Sequence, residues 1–376
     1  MKKKSSKKIV FFGALSFLGN GNRAYAASAN QVQLEIIKNI QKVFSKSIFN
    51  FFGFSPNRTW PFTNVFINNK SEGVLTFHSY INILGIREMH ILFKRINYII
   101  SNEPDYIFLY NISFLEALFF NLLKKILGFK VILFLQDVKQ NNFIDYCLNS
   151  IKFKFVSCFD ILVPISQNII DKFNLPLEKS ILFQGGCTKF AFEIQNRCIN
   201  KNIKLEPKVI FAGRLEKYNG IDKVINYWIE NKPDFELHIY GTGSYESKVI
   251  EKLNLNPKIK FYGLVPENVI QEAQLNSSAN FCLRYSIGLN QNYFFPSKIF
   301  NIMSSPGLVL INRFNNLTEG MKDNTEILKP NFENLNEILN KSINYSKLKY
   351  KERIKWLNQN ANWFELTKKI YKIINS

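Results

Sequence analysis

Two uninterrupted apolar runs constrain this chain more than anything else in it. Tyr106–Tyr110 reads YIFLY, Val131–Leu135 reads VILFL, and Phe114–Leu127 between them has helical spacing. A strand wetted on one face alternates apolar with polar residues. A strand apolar at every position is covered on both faces, and a strand–helix–strand unit makes its two strands parallel. Glu116, Lys124 and Lys125 interrupt the stretch from Phe114, which is too short and too charged to span a bilayer. Ile161–Ile165 repeats the strand pattern, followed by a helix from Ser166 and a short strand at Ser180–Phe183. Residues 1–190 are therefore expected to form a doubly wound α/β domain.

The N-terminus reads two ways. Lys2–Lys8, the apolar Ile9–Leu18 and Ala24-Tyr25-Ala26 have the layout of a secretory signal. The same residues also make a buried strand (KIVFFGAL), a glycine turn and a helix over Ala24–Phe44 with Leu34, Ile37, Ile40 and Val43 on one face. A cytosolic nucleotide substrate would favour the strand. Ser45–Trp60 is aromatic and poorly patterned, and Val65–Ile67 and Gly73–His78 read as strands. Leu84–Ile100 sets Arg87, His90, Lys94 and Arg95 among apolar residues, a helix that either packs on a sheet or lies on anionic lipid.

A polar linker, 191–206 within Gly185–Pro207, leads to a second strand–helix series spanning 207–349. Its strands are expected at Lys208–Ala212, Phe235–Tyr240, Ile259–Tyr262, Ala279–Leu283 and Leu308–Ile311, and its helices at Gly220–Glu230 and Tyr245–Leu253. The tail, 350–376, reads as a helix crossing back to the first domain. Two such domains place a ligand between them, at the carboxyl ends of the strands.

The chain carries a formal net charge of +20, and residues 1–190 hold 23 Lys/Arg against 11 Asp/Glu. That excess suits a membrane surface, a lipid phosphate or nucleic acid, or is a generally basic surface. Nucleic acid is disfavoured: no recognition helix, RNA-binding sheet or finger motif is present, and most of the 36 Phe fall within apolar strands and helices. Cys147, Cys158, Cys187, Cys198 and Cys282 are odd in number without CxxC spacing, and the three His have no ligand spacing, so reduced thiols and no metal site are expected.

Two features at expected strand ends and one at an expected helix start could carry chemistry. Gly213-Arg214 follows a strand; Gly lets a ligand approach the backbone, and Arg holds a diphosphate with two parallel hydrogen bonds. Gly241-Thr242-Gly243 is a second glycine turn. The third is Asn290–Ser305, NQNYFFPSKIFNIMSS, where Pro296 ends a loop and Ser297 and Lys298 are expected in the first turn of a helix. A Lys there opposes the helix dipole unless an anion is shared between them; otherwise it is an ordinary surface Lys.

The segments VIFAGRLEKYNGIDKVI, LHIYGTGSYESKV, IKFYGLVPENVIQEAQLNSSANFCLRYS and NQNYFFPSKIFNIM come in the order and spacing of the C-terminal half of glycosyltransferase family 4. The FPSK form resembles enzymes that build bacterial cell-surface polysaccharide. PDYIFLYNISFLEALFFNLLKKILGFKVILFLQDV and FDILVPISQNIIDKF are similar in layout to the family's acceptor-side domain. The resemblance implies a GT-B fold of two Rossmann-like domains and retaining, metal-independent transfer from a UDP- or GDP-sugar, which is a substrate and not a cofactor. It implies a glycan or lipid-linked acceptor and a cytoplasmic enzyme peripheral to the inner face of the membrane.

Carried over by motif, Gly213, Arg214, Ser297 and Lys298 would meet the donor phosphates, and Gly241 and Gly243 would lie beside the base and ribose. The family's Lys before the next Gly is here Asn219, and its paired glutamates fall at Tyr293 and Asn301. Asn301 can still accept from a ribose hydroxyl, through one neutral oxygen. In the acceptor domain Asp137 would position the acceptor or take its proton, with Gln136 beside it; the alternative for Asp137 is loop capping. Gly19 and Gly21 would sit on the sugar side or form a simple turn. Glu319-Gly320 would touch the donor. A catalytically weak sugar-nucleotide-binding partner protein is the alternative function that these departures leave open.

Overall fold

The computed structural model describes residues 6–15, 27–136, 138, 143–201, 203–285, 291–293, 295–342 and 347–376. The chain forms two units. The first comprises 1–184 with 363–376, the second 185–362.

The first unit is built on strands β1 (Lys8–Ala14), β2 (Ile48–Phe54), β3 (Lys70–Glu72), β4 (Leu75–Phe77), β5 (Tyr106–Tyr110), β6 (Lys130–Leu135) and β7 (Ile161–Pro164), in the order β3-β4-β2-β1-β5-β6-β7. All neighbours are parallel except β3 with β4. Lys8–Ala14, one of the two readings of the N-terminus, is thus a central strand with buried Ile9–Phe12.

The crossovers sort the helices by face. The chain steps one way from β1 to β2 through the helix Ala27–Val43, and the opposite way through Ile86–Asn102, Phe114–Leu127 and Phe143–Val156. Right-handed crossovers put these two sets on opposite faces. The packing agrees. Phe44 meets Tyr371 of the helix Trp363–Asn375 at 4.9 Å, edge to face, on the first face. On the second, buried Arg95 pairs with Glu116 and Phe114 meets Phe155 at 6.2 Å. Glu116 also closes a capping box with Ser113, so one carboxylate starts a helix and ties it to its neighbour.

The second unit has β8 (Glu206–Ala212), β9 (Glu236–Tyr240), β10 (Ile259–Phe261), β11 (Ser277–Phe281), β12 (Leu308–Asn312) and β13 (Glu326–Leu328), all parallel, in the order β10-β9-β8-β11-β12-β13. Trp228, fully buried, stacks edge-on against Phe281 and donates to the Phe235 carbonyl at 2.8 Å. Buried Arg353 donates to the Ser305 and Gly307 carbonyls, holding the entry to β12.

The structure differs from the sequence reading in several places. β2, next to the central strand, runs through Ser45–Trp60, where Asn50 and Gly53 break the apolar run. Ser180–Phe183 is reduced to backbone bonds from Ile181 to Leu162 and from Phe183 to Pro164. The supposed linker 191–206 opens in a helix, Lys189–Cys198, that buries Ala191, Ile194, Gln195 and Cys198 in the second unit, moving the boundary to 184/185. The tail is two helices, Lys347–Asn360 in the second unit and Trp363–Asn375 in the first.

Candidate active site

In the second unit the turns after β8 and β9 are laced together by backbone hydrogen bonds. Gly213 N–H donates to the Tyr240 carbonyl (3.0 Å), Leu215 N–H to Thr242 (3.0 Å) and Tyr245 N–H to Leu215 (2.9 Å). The Ser244 amide donates to the Glu216 carboxylate at 3.0 Å and its hydroxyl at 2.5 Å, and these bonds hold that carboxyl below its usual range. The lacing accounts for the glycines of the second turn. A Cβ on Gly241, at φ 126°, would stand 1.9 Å from the Gly213 oxygen, and one on Gly243 would stand 2.5 Å from the Leu215 oxygen.

Gly213, whose φ of 144° itself favours glycine, faces a side chain and not backbone. A Cβ there would come within 3.1 Å of the Lys298 ammonium, and Lys298 Nζ lies 3.4 Å from the Ala212 carbonyl. The cation therefore rests against the β8 turn itself. Burial pulls the Lys298 pKa down; the Cys282 side chain opposes the shift and the Arg284 charge adds to it. An anion beside Lys298 would relieve that penalty. Arg214, next along the turn, is exposed, and its guanidinium makes no hydrogen bond to a described residue.

Lys298 does stand at a helix start, but before the first turn expected from the sequence, and the helix is short. The helix runs only over Ile299–Met303, with Lys298 as its N-cap and Ser297 before it. The Ser297, Ile299 and Phe300 N–H groups bond to the Phe295, Pro296 and Ser297 carbonyls, so they are engaged locally. The dipole of so short a helix adds little; the useful charge is the side chain's. Ser297 is half-buried against Gly185, whose φ of 135° places its backbone under the Ser297 and Phe300 side chains.

Asn219 turns out to hold the turn together. It is buried, donates from Nδ2 to the Arg214 carbonyl at 2.9 Å, and accepts at Oδ1 from Arg284 at 3.2 Å. Arg284 follows β11, lies 4.3 Å above the Tyr218 ring, and burial lowers its pKa. Sequence reasoning missed this third cation. Its signal was available: a cation just past a strand end, as at Gly213-Arg214.

The other residues named from sequence have partners or settings of their own. Asn301 spends its amide oxygen on the Thr188 N–H at 3.0 Å, and Tyr293 is buried. Gly320 packs against Trp356, whose Nε1 would be 2.2 Å from a Cβ, and Glu319 pairs with Lys322. In the first unit Gln136 ends β6 almost wholly buried. Its N–H donates to Asn111 Oδ1 at 2.8 Å, and its Nε2 has no partner among the described residues. Asp137, Gly19 and Gly21 lie outside the described residues. An open hollow of the first unit, about 650 Å³ and lined by Lys7, Asp105 and Lys130, is at the amino ends of its strands.

Residues 194–361 match the family described as glycosyl transferases group 1, which covers nearly all of the second unit. No curated protein matches the sequence. Among solved structures, the lipopolysaccharide outer core galactosyltransferase WaaB in its apo form is 15% identical with a TM-score of 0.65, covering 97% of this chain and 99% of that one. Alr3699/HepE of Anabaena, in complex with UDP, is 11% identical (TM-score 0.64; 98% and 99% covered). A UDP-forming α,α-trehalose-phosphate synthase from Burkholderia vietnamiensis is 10% identical (TM-score 0.67; 99% and 100% covered). At such identities the likeness is one of fold. The second unit thus matches glycosyl transferases group 1 over 194–361, and the chain as a whole has the GT-B fold of two Rossmann-like parallel-sheet domains.

Proposed function

We propose that this protein is a glycosyltransferase that moves a sugar from a UDP- or GDP-sugar to a glycan or lipid-linked acceptor in bacterial cell-surface polysaccharide synthesis. The observation that carries the reading is the Lys298 ammonium seated on the bare Gly213 turn, with Arg214 and Arg284 nearby, inside the segment that matches the family. The reaction breaks the bond from the sugar's anomeric carbon to the donor phosphate oxygen and forms one to an acceptor oxygen. The electron pair leaves with the nucleoside diphosphate, and the acceptor proton passes to a base. Charge grows on the departing phosphate, so cations held at that turn act where stabilisation counts most. Lys298 and Arg214 supply it, Asn219 and the glycines hold the turn, and Asp137 beside Gln136 takes or orients the acceptor proton.

Retention of configuration, independence of metal and a cytoplasmic place at the inner face of the membrane belong to the same proposal. UDP in the Anabaena structure, and UDP-2-fluoro glucose in a solved structure described as trehalose-6-phosphate from E. coli, support a uridine nucleotide as the first donor to test. One observation favours a weaker enzyme, a sugar-nucleotide-binding partner: Asn301 Oδ1 is already engaged by Thr188. The deciding experiment incubates purified protein with a panel of UDP- and GDP-sugars, with and without acceptor glycolipids, and measures nucleotide release. Release that depends on acceptor supports transfer; binding without release supports the partner reading. No nucleotide binding at millimolar concentration defeats both.

A further inference from the structure

The helices Ile86–Asn102, Phe114–Leu127 and Phe143–Val156 share one face of the first sheet, and their inner sides are fully used. Leu92, Ile99, Ala117, Phe120, Phe153 and Val156 are buried against it. An ordinary surface helix is polar on its other side. These are not. Met89 and Phe93 are 51% and 60% exposed, Leu122 and Ile126 are 45% and 76%, and Ile151 is 46%. The spacings are helical, with 86, 89, 93 and 100 on the first helix and 119, 122 and 126 on the second. Apolar stripes on adjacent helices make one patch, which isolated exposed side chains do not.

The charge on this face says what covers it. The three helices carry Arg87, Lys94, Arg95, Lys124, Lys125, Lys152 and Lys154 against Glu88, Glu116 and Asp145. Every acid is engaged: Glu88 with Arg87, Glu116 with Arg95, and Asp145 also has a partner. Lys125 and Lys154 are exposed with no ion pair among the described residues. Two copies pressed face to face would bring these lysines together. Lipid phosphates at the depth of a lysine tip, with acyl chains under the apolar side chains, meet both demands. Among the described residues no helix is long and apolar enough to cross a membrane, so the contact is one of helices lying flat.

We infer that this three-helix face docks on an anionic phospholipid surface, with Met89, Phe93, Leu122 and Ile126 entering the interface and Lys125 and Lys154 meeting headgroup phosphates. The inference extends the membrane location proposed above and rests on that part of it, and donor binding is independent of it. The test sediments the full chain with phosphatidylcholine vesicles with or without phosphatidylglycerol, at low and high salt, and measures nucleotide binding in the same preparations. The protein should pellet with the anionic vesicles and be released by salt. The Met89→Gln/Phe93→Gln variant and the Lys125→Glu/Lys154→Glu variant should each lose about tenfold or more in vesicle affinity, with unchanged melting and nucleotide binding. Leu34→Gln, on the opposite face, should change nothing. Three results overturn the inference: no pelleting at low salt, equal pelleting of wild type and both double variants, or a lipid-free dimer that Met89→Gln/Phe93→Gln abolishes. Nucleotide binding retained alongside any of them leaves the donor site standing.

Discussion

At the carboxyl end of β8 the chain turns at Gly213 and leaves room for an ammonium group. At the carboxyl end of β1 it runs into Gln33, whose amide donates to the Ala14 carbonyl at 2.7 Å and accepts its N–H at 2.9 Å. The two sheets share parallel construction and right-handed crossovers, yet one strand end holds half-buried cations and the other is closed by a neutral amide. Their outer helices differ in the opposite sense. Exposed apolar residues of the second unit, such as Ile250, Leu264 and Val269, stand singly on separate elements, whereas those of the first form stripes. One scaffold can thus be finished as an anion site at its strand ends or as a docking face on its helices, since neither demand touches the strand core.

The largest effect should follow from removing the half-buried Lys298 cation. Lys298→Met keeps the volume and relieves a desolvation cost, so the second unit should melt no lower. Nucleoside diphosphate affinity or kcat/KM should fall by about 10²–10³-fold, with Lys298→Arg retaining part of it. Calorimetric titration with UDP and GDP reads this directly, and an unchanged affinity would remove the charge from the second unit's side of the comparison. Next comes the lacing of the two turns. Gly241→Ala sets a Cβ against the Gly213 carbonyl at a positive φ, and should cost about 3 kcal/mol. That cost appears as a lower denaturant midpoint for the second unit alone.

The first unit's strand ends predict a pH effect. His78 follows β4 and stacks on Phe52 at 3.6 Å; burial, aided by the Lys94 charge, pushes its pKa down to about 4 from 6.5. Between those values the unfolded chain takes up a proton that the folded one refuses. Stability is therefore unaffected above pH 6.5 and falls as pH drops toward 4, by about 2 kcal/mol after allowing for partial solvent access. His78→Gln should flatten this slope in denaturant titrations at several pH values. A slope that persists in the variant would mean that another titrating group, and not the closed strand end at His78, carries it.

Much of this was written plainly in the chain, and the rest was hidden for physical reasons. YIFLY and VILFL announce parallel strands because double burial needs no polar alternation. β2 escaped notice because Asn50 and Gly53 interrupt an otherwise apolar run, and only pairing with β1 makes IFNFFGF a strand. The glycine turns were visible, but not that Gly241 and Gly243 face backbone while Gly213 faces a cation. Such a difference depends on which turns lie side by side. Lys298 was legible as a candidate; the reason first attached to it, a helix terminus, does not survive a helix of five residues.

The smallest effect tests whether the cations of the second unit act together. Arg284 Nη1 donates to Asn219 Oδ1, Asn219 Nδ2 donates to the Arg214 carbonyl, and the Arg284 charge reaches Lys298. Losing the side chain removes one cation near the proposed phosphates and loosens the turn, while the two hydrogen bonds between the Arg284 backbone and the Asn312 side-chain amide remain. Arg284→Ala should raise the dissociation constant for UDP or GDP about tenfold, roughly 1.4 kcal/mol, with a steeper loss at high salt if charge is the cause. Asn219→Lys in that background separates the two contributions. It supplies a cation and sacrifices the hydrogen bond to Arg214, so recovered affinity means that charge dominates. If affinity falls further, turn geometry dominates and Arg284 is a positioning residue.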